Sequence, residues 1–186
     1  MNFSHYTDLP AQLAVDLVNI DELTGDELSD LAELETFLDR YQDLRPPAGL
    51  APEQSDLTAL HGLRDRLREV FESSDETTAM DRLNQILSEN EAIPRLSMHD
   101  GHPHLHFEPI GSSLSSWVAA ITALGLAGVM VEHGISRFGS CQASNCRDVF
   151  IDATRNRSRI HCGSNCSTRE AVAAYRKRQA ARPRSG

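Results

Sequence analysis

The four cysteines of this chain constrain its fold more than any other feature, because they form two close pairs. Their pattern is C-x4-C-x15-C-x3-C, made by Cys141, Cys146, Cys162 and Cys166. One turn of chain can direct both thiolates of a pair toward one ion, and the 15 intervening residues can form a hairpin. The spacing therefore predicts one tetrahedral zinc ion. Because all four ligands are thiols, no coordination position is left for water, and the ion is predicted to be structural.

Three other interpretations of the cysteines remain open. Two disulfides would require an oxidising compartment. The first residues, MNFSHYTDLP, contain neither the basic nor the apolar segment of a secretory signal, so we expect a cytoplasmic protein instead. The cysteines could also be unrelated free thiols. Finally, His161 could replace one cysteine as a ligand, although a role beside the ligands is the simpler interpretation.

Charge divides the 186-residue chain into two parts. Residues 1–136 contain 7 Arg/Lys and 24 Asp/Glu, a net charge of −17, whereas residues 137–186 contain 11 and 3, a net charge of +8. So abrupt a change predicts two domains with different partners, an acidic one over 1–136 and a basic finger over 137–186. With 40% apolar and 24% charged residues, the composition excludes wholesale disorder.

The acidic part is predicted to be mainly helical, because its apolar residues recur at helical spacing. We expect helices over about residues 9–20, 30–41, 55–71, 78–87 and 113–132, with Ser55 capping the third. Alternating segments at 95–99 and 104–108 predict a β-hairpin. The apolar run 117–131 is short for a bilayer span and suits a core helix, so no membrane partner is expected. The predicted class is α+β, mainly α: a helical domain with a small hairpin, then a small ββα-like zinc finger of the treble-clef type.

Basic residues follow the first cysteine pair. Arginines alternate over 155–159, where an extended strand would project them from one face. Residues 167–180 predict a helix with Ser167 as its N-cap, one basic sector, and an apolar sector of Ala171, Val172 and Tyr175 that packs on the zinc site. The predicted nucleic-acid contacts are Arg155, Arg157, Arg159, Arg169, Arg176 and Lys177. Improved solubility and attraction to an acidic protein are the alternatives for this charge.

The finger residues resemble the CGNR zinc-finger family of bacteria. The resemblance runs from Cys141 through the segment 146–159 to Cys162, Cys166 and the run Ala174-Tyr175-Arg176-Lys177-Arg178. The first part resembles that family's usual partner, the ABATE domain, in residues 14–19, Leu63-Arg64-x-x-Leu67-Arg68, Arg82-Leu83-Asn84 and the late apolar helix. This resemblance implies a stress-linked transcriptional regulator whose finger binds DNA.

The chain departs from the family at its naming tetrad. Cys-Gly-Asn-Arg is here Cys166-Ser167-Thr168-Arg169, so the cysteine and the arginine are kept while the glycine and the asparagine are replaced. The ligand role of Cys166 is unaffected. Any contact that the family makes through the asparagine is lost, although the hydroxyl of Thr168 can still donate a hydrogen bond.

Other polar clusters allow alternatives. His99, His102, His104 and His106 are either a second metal site or the polar side of a hairpin. Asp16 and Asn19, one turn apart on an apolar helix, either line a ligand pocket or hold a neighbouring segment. Arg64 and Arg68 either receive an anionic effector or pair with Asp65, Glu69 or Glu72.

The sequence therefore predicts a DNA-binding regulator. No nucleophile motif, phosphate loop or carboxylate pair stands out, so we expect no enzyme. The finger is expected to bind DNA in the nucleoid, while the acidic domain senses a small-molecule effector or forms a homodimer. The alternative function is a protein-interaction module whose basic finger binds an acidic protein surface.

Overall fold

The computed structural model describes residues 5–20, 28–44, 50–98, 104–109 and 113–180. Its main elements are α1 (His5–Asn19), α2 (Leu31–Asp39), α3 (Gln54–Phe71), α4 (Glu76–Glu89), β1 (Ala92–Ser97), β2 (His104–Pro109), α5 (Leu114–His133), β3 (Phe138–Ser140), β4 (Val149–Ile151) and α6 (Ser164–Ala180). Short 3-10 turns occupy Gln42–Leu44 and Ile135–Arg137. The class is the predicted one, mainly helical with two small antiparallel sheets.

Helix α5 is the centre of the helical core and packs against α1, α3 and α4. Its buried residues include Trp117, Ala123 and Leu126. By length and composition it could cross a membrane, but more than half of it is buried inside the protein. Gly125 lets α1 approach closely, since a Cβ there would lie 2.5 Å from the amide nitrogen of Ala11. The apolar composition of α5 is therefore explained by its place in the core.

The start of α3 differs from the prediction. Ser55 is not the cap: Glu53 holds that position, and its amide donates to the carboxylate of Asp56 at 3.0 Å. Asp56 is buried and also accepts the amide of Ser115 at 2.9 Å, at the start of α5. One carboxylate thus connects the first turns of two helices, and these contacts outweigh its burial and lower the pKa of Asp56.

The predicted first hairpin is confirmed. Strands β1 and β2 pair antiparallel, with Ala92 opposite Pro109 and Ser97 opposite His104. Residues 99–103, between the two strands, lie outside the described residues.

The finger begins with a second antiparallel pair, β3 and β4, which rests on the helical core. Val149 belongs to that core, and Phe138 and Ile151 pack against it. The ring of Phe138 lies 5.2 Å from that of Phe71 in α3. Apolar packing therefore continues across the predicted domain boundary after residue 136, and that boundary stays a prediction.

Two expectations about the finger are wrong. Residues 152–160 form no strand, because the carboxylate of Asp152 accepts the amides of Thr154 at 2.7 Å and Arg159 at 2.9 Å and closes a turn. Arg157 has a φ of 51° within that turn. Helix α6 begins at Ser164, so Ser167 is inside it, where its hydroxyl donates to the carbonyl of Gly163 at 3.1 Å.

Candidate metal centre and basic surface

The four cysteine sulfurs converge on one point. All of them lie within 4.8 Å of one another, with 3.7 Å between Cys146 and Cys162 and 3.5 Å between Cys162 and Cys166. Four sulfurs bound to one zinc ion at about 2.3 Å would lie about 3.8 Å apart at the corners of a tetrahedron. None of the four is in a disulfide. This donor set is able to hold one zinc ion.

Each cysteine pair is presented by a different element. Cys141 follows β3, and its amide donates to the carbonyl of Asp148 at 2.8 Å. Cys146 ends the same turn, in which Asn145 has a φ of 59°. The second pair consists of Cys162, just before α6, and Cys166 in its first turn. A metal ion would therefore fasten α6 to the β3–β4 hairpin.

The protein around the sulfurs shifts the pKa of three of the four thiols. Burial raises the pKa of the Cys146 thiol to about 11 and raises the pKa of Cys162 still further. At Cys141 burial also raises the pKa, but the backbone amides of Cys162 and Ala143 donate to its sulfur and bring the pKa below its usual value. Metal binding must therefore displace protons from Cys146 and Cys162, and a thiolate–metal bond supplies that energy.

Arg169 supports the metal centre. Its guanidinium donates to the carbonyl of Ser144 at 3.0 Å and to the sulfur of Cys166 at 3.5 Å. Glu170 next to it accepts the amide of Ser144 at 2.8 Å. Both contacts fix α6 on the loop between the first two cysteines. Ser167 and Thr168, which replace the glycine and the asparagine of the family's tetrad, are both exposed. The helix therefore accommodates them without loss of packing.

The arginines of the turn are also held by the protein. Arg159 stacks on the ring of Phe150 at 4.8 Å and donates to the carbonyls of His161, at 2.9 Å, and Cys162. Arg157 donates to the hydroxyl of Ser136 at 2.6 Å. Both arginines are nevertheless exposed to solvent.

Other cations remain available. Arg155, Arg176, Lys177 and Arg178 are exposed and make no hydrogen bond or ion pair with the residues that the structure describes. The sequence prediction included the first three and missed Arg178, because that residue lies outside the predicted basic sector.

The apolar sector of α6 does not pack on the zinc site as predicted. Val172 is 42% and Tyr175 56% exposed, and Ala171 is exposed as well. Within α6 only Cys166 is buried. The helix therefore stands out from the finger, because the finger offers too small a surface to cover it.

The end of α1 is clamped to the finger by two side chains. The amide group of Asn19 donates to the carbonyl of Val149 at 2.9 Å and accepts its N–H at 2.7 Å. Arg68 donates to the carbonyl of Val18 at 2.7 Å and to that of Arg147. Asn19 thus holds a neighbouring segment, one of its two predicted roles. The bridging role of Arg68 was missed, because its partners are backbone groups far away in the sequence.

Asp16 lines a cleft beside this clamp. Its carboxylate accepts hydrogen bonds from the Tyr41 hydroxyl and from Gln12 at 2.6 Å. The cleft has a volume of about 340 Å³ and lies between one face of α1 and the β4 region, with Phe150 and Arg159 on the far wall. Burial and the neighbouring Asp16 raise the pKa of Tyr41, so it stays a neutral donor.

The remaining predicted sites are placed only in part. His161 lies outside the group of converging sulfurs, with Nδ1 3.3 Å from the hydroxyl of Ser167. Arg64 makes the expected ion pair with Asp65, at 3.6 Å. His99 and His102 lie outside the described residues, and His104 and His106 are placed only by register, opposite Ser97 and Arg95. The second metal site stays untested.

Comparison with known families agrees with this architecture. The profile of the ABATE family, described as putative stress-induced transcription regulator, matches residues 11–132, about two thirds of the chain. The chain belongs to the ABATE family. The CGNR zinc finger profile matches residues 137–179, which include all four cysteines and most of α6. A comparison with curated proteins gave no match.

These matches confirm the resemblance predicted from the sequence. An ABATE region followed by a CGNR zinc finger makes this a zinc-binding protein of a transcription-regulator family. The two matched families are of regulator and zinc-finger type and not of enzyme type.

Proposed function

We propose that this protein is a zinc-containing transcriptional regulator that binds duplex DNA through its finger. The observation that carries this proposal is the projecting helix α6, on which Arg176, Lys177 and Arg178 are exposed and without protein partners among the described residues. Cations without partners can neutralise phosphates and release counterions, which drives binding to DNA. Four thiolates and one zinc ion contribute a charge of about −2, so the finger keeps a charge of about +6.

The six predicted contacts fall into two groups. Arg155, Arg176 and Lys177 have free guanidinium or ammonium groups, and we assign them, with Arg178, to phosphate contacts. The guanidinium groups of Arg157, Arg159 and Arg169 donate hydrogen bonds to other groups of the protein. Their first task is to hold the finger in shape, and their exposed edges add positive charge to the same surface.

The ABATE region is assigned regulation and self-association. Its hairpin exposes Leu96 (78%) and Met98 (67%), which supports a homodimer that would join two finger helices and raise their affinity for DNA. Sedimentation velocity, which separates one chain from two, tests this assignment.

The cleft beside Asp16 supports an effector site, because a ligand there would contact both α1 and the finger. The location that fits this proposal is the cytoplasm, at the nucleoid, because thiols stay reduced there and DNA is present.

The test of DNA binding is a charge-removal series on a random-sequence duplex at several salt concentrations. Arg176→Ala and Arg155→Ala should each reduce the slope of log affinity against log salt by about 0.9, with zinc retained. The control is Arg182→Ala in the C-terminal tail, which should change the slope little. Equal effects at all three positions would indicate a diffuse charged tail. No effect at any of them would favour the alternative, an acidic protein as the partner.

A further inference from the structure

One stripe of α6 is exposed along its whole length and is used by nothing described above. It consists of Thr168, Val172, Tyr175 and Gln179, spaced by four, three and four residues. At about 100° per residue these four side chains fall within a sector of about 60°. All four are exposed, including the apolar Val172 and the aromatic Tyr175.

The metal centre fixes the direction of this stripe. Cys166 points at the other sulfurs, and Tyr175 follows it by nine residues, which places it about 180° around the helix. The contacts of Arg169 and Glu170 with Ser144 lie on the Cys166 side. The stripe therefore faces directly away from the finger.

Cations flank the stripe on both sides. By the same helical geometry Arg178 lies about 60° to one side of Tyr175, and Arg176 lies about 100° to the other. Both are exposed and have no partner in the described part of the chain. A line of uncharged polar and apolar side chains between two cations matches a DNA groove, where base edges lie between two phosphate backbones.

We infer that α6 lies in the major groove of duplex DNA and that Thr168, Val172, Tyr175 and Gln179 contact base edges. This inference rests on the proposed DNA binding and specifies which face of the finger carries it. A helix about 10–12 Å across fits a major groove about 12 Å wide, whereas the minor groove is about 6 Å wide. Of the predicted basic sector, Arg176 beside the stripe then serves position and not sequence choice, whereas Arg169 and Lys177 lie on the Cys166 side of the helix.

Two of the four residues have a defined base preference. The carboxamide of Gln179 can bind N6 and N7 of adenine in two hydrogen bonds, and the methyl groups of Val172 can contact the C5-methyl of thymine. The structure therefore assigns sequence specificity for A·T pairs to the second half of α6. The cations on both sides of the stripe match two phosphate backbones, and this is the feature that favours DNA over an acidic protein surface.

In the first step of the experiment, the zinc-loaded full chain selects a preferred site from a library of random duplexes. The affinity of the chain is then measured for that site and for copies of the site that carry modified bases. Replacing thymine by deoxyuracil removes only the C5-methyl and should weaken wild-type binding about fourfold at one position. Val172→Ala should abolish that difference. Replacing adenine by 7-deazaadenine should weaken wild-type binding about tenfold at another position, and Gln179→Ala should abolish that difference.

The matched control is Arg178→Ala, on the same helix beside the stripe. It should weaken binding to every duplex and reduce the salt slope by about 0.9, while both base preferences remain. Alanine favours helix more than valine or glutamine does, so the three variants should keep their helix and their zinc, which circular dichroism and metal analysis check. Netropsin, a minor-groove ligand, should not displace the protein.

Three results would overturn the inference, and they differ in whether the proposed DNA binding survives. A wild-type chain that binds all duplexes alike, with a steep salt slope, would refute base reading by α6 and leave the proposed DNA binding intact. Variants that respond to the modified bases as the wild type does would do the same. A wild-type chain that binds no duplex even at low salt would refute the proposed function as well.

Discussion

At the scale of single residues, Arg169 shows how one side chain can be assigned to two roles. Its charge and its place in the basic sector of the last helix predict a DNA contact. In the structure its guanidinium is directed at the sulfur of Cys166 and at the carbonyl of Ser144, 25 residues earlier. Hydrogen bonds to a ligand sulfur stabilise the thiolate, and they orient the ligand for the metal. Arg169 is thus placed as a positioning residue for the metal centre.

The substitution Arg169→Ala tests this role. It should weaken zinc binding about 10- to 100-fold, because the thiolate of Cys166 loses a donor and α6 loses one link to the first cysteine loop. Competition with a coloured chelator measures the affinity. Arg176→Ala, on the same helix without a partner among the described residues, should leave zinc affinity unchanged. If both variants bind zinc like the wild type, Arg169 does not support the metal.

At the scale of elements, the helices were easier to predict than the finger. Apolar spacing located α1 to α5, since each of these helices contributes buried residues to the same core. The alternation of apolar and polar residues located the first hairpin. It failed between Cys146 and Cys162, where alternating arginines suggested a strand. The turn there is set by backbone amides that converge on the Asp152 carboxylate, and residue alternation does not encode such contacts.

The cysteine cluster was predictable residue by residue, but its attachment to the ABATE region was not. Spacing identifies a zinc site because the four ligands lie in two local pairs. Asn19 and Val149 are 130 residues apart in the sequence, and nothing local to either one indicates the other. For the same reason the predicted partners of Arg68 were an anionic effector or an acidic neighbour, and not the carbonyls of Val18 and Arg147.

The attachment of β4 to α1 gives a prediction at this scale. Asn19→Ala should destabilise the β3–β4 hairpin by about 1–3 kcal/mol, because the N–H and carbonyl of Val149 lose both partners at a partly buried position. Amide hydrogen exchange should then show lower protection at Val149. The control is Gln12→Ala, on the same face of α1, because Gln12 is hydrogen-bonded only to Asp16 among the residues that the structure describes. Unchanged protection at Val149 would mean that core packing alone holds the hairpin.

At the scale of the whole molecule, the finger is built in two layers. The hairpin β3–β4 shares the helical core, while the cysteine loops and α6 have a small cluster of their own, made of Cys141, Ala143 and Cys166 with the other two cysteines. So little apolar surface cannot hold a 17-residue helix without a metal. Loss of zinc should therefore release α6 and the loops, while α1 to α5 and the hairpin stay folded.

The most direct test compares the DNA affinity of the full chain with and without its zinc, at several salt concentrations. Zinc analysis of the wild type should give one ion per chain, and Cys166→Ser or chelation should remove it. We expect the metal-free protein to lose sequence preference and most of its affinity, since α6 is no longer held at a fixed angle. Circular dichroism should show that the ABATE helices remain. Equal DNA affinity, salt slope and sequence preference with and without zinc would contradict the account, because binding would then come from an unstructured basic segment.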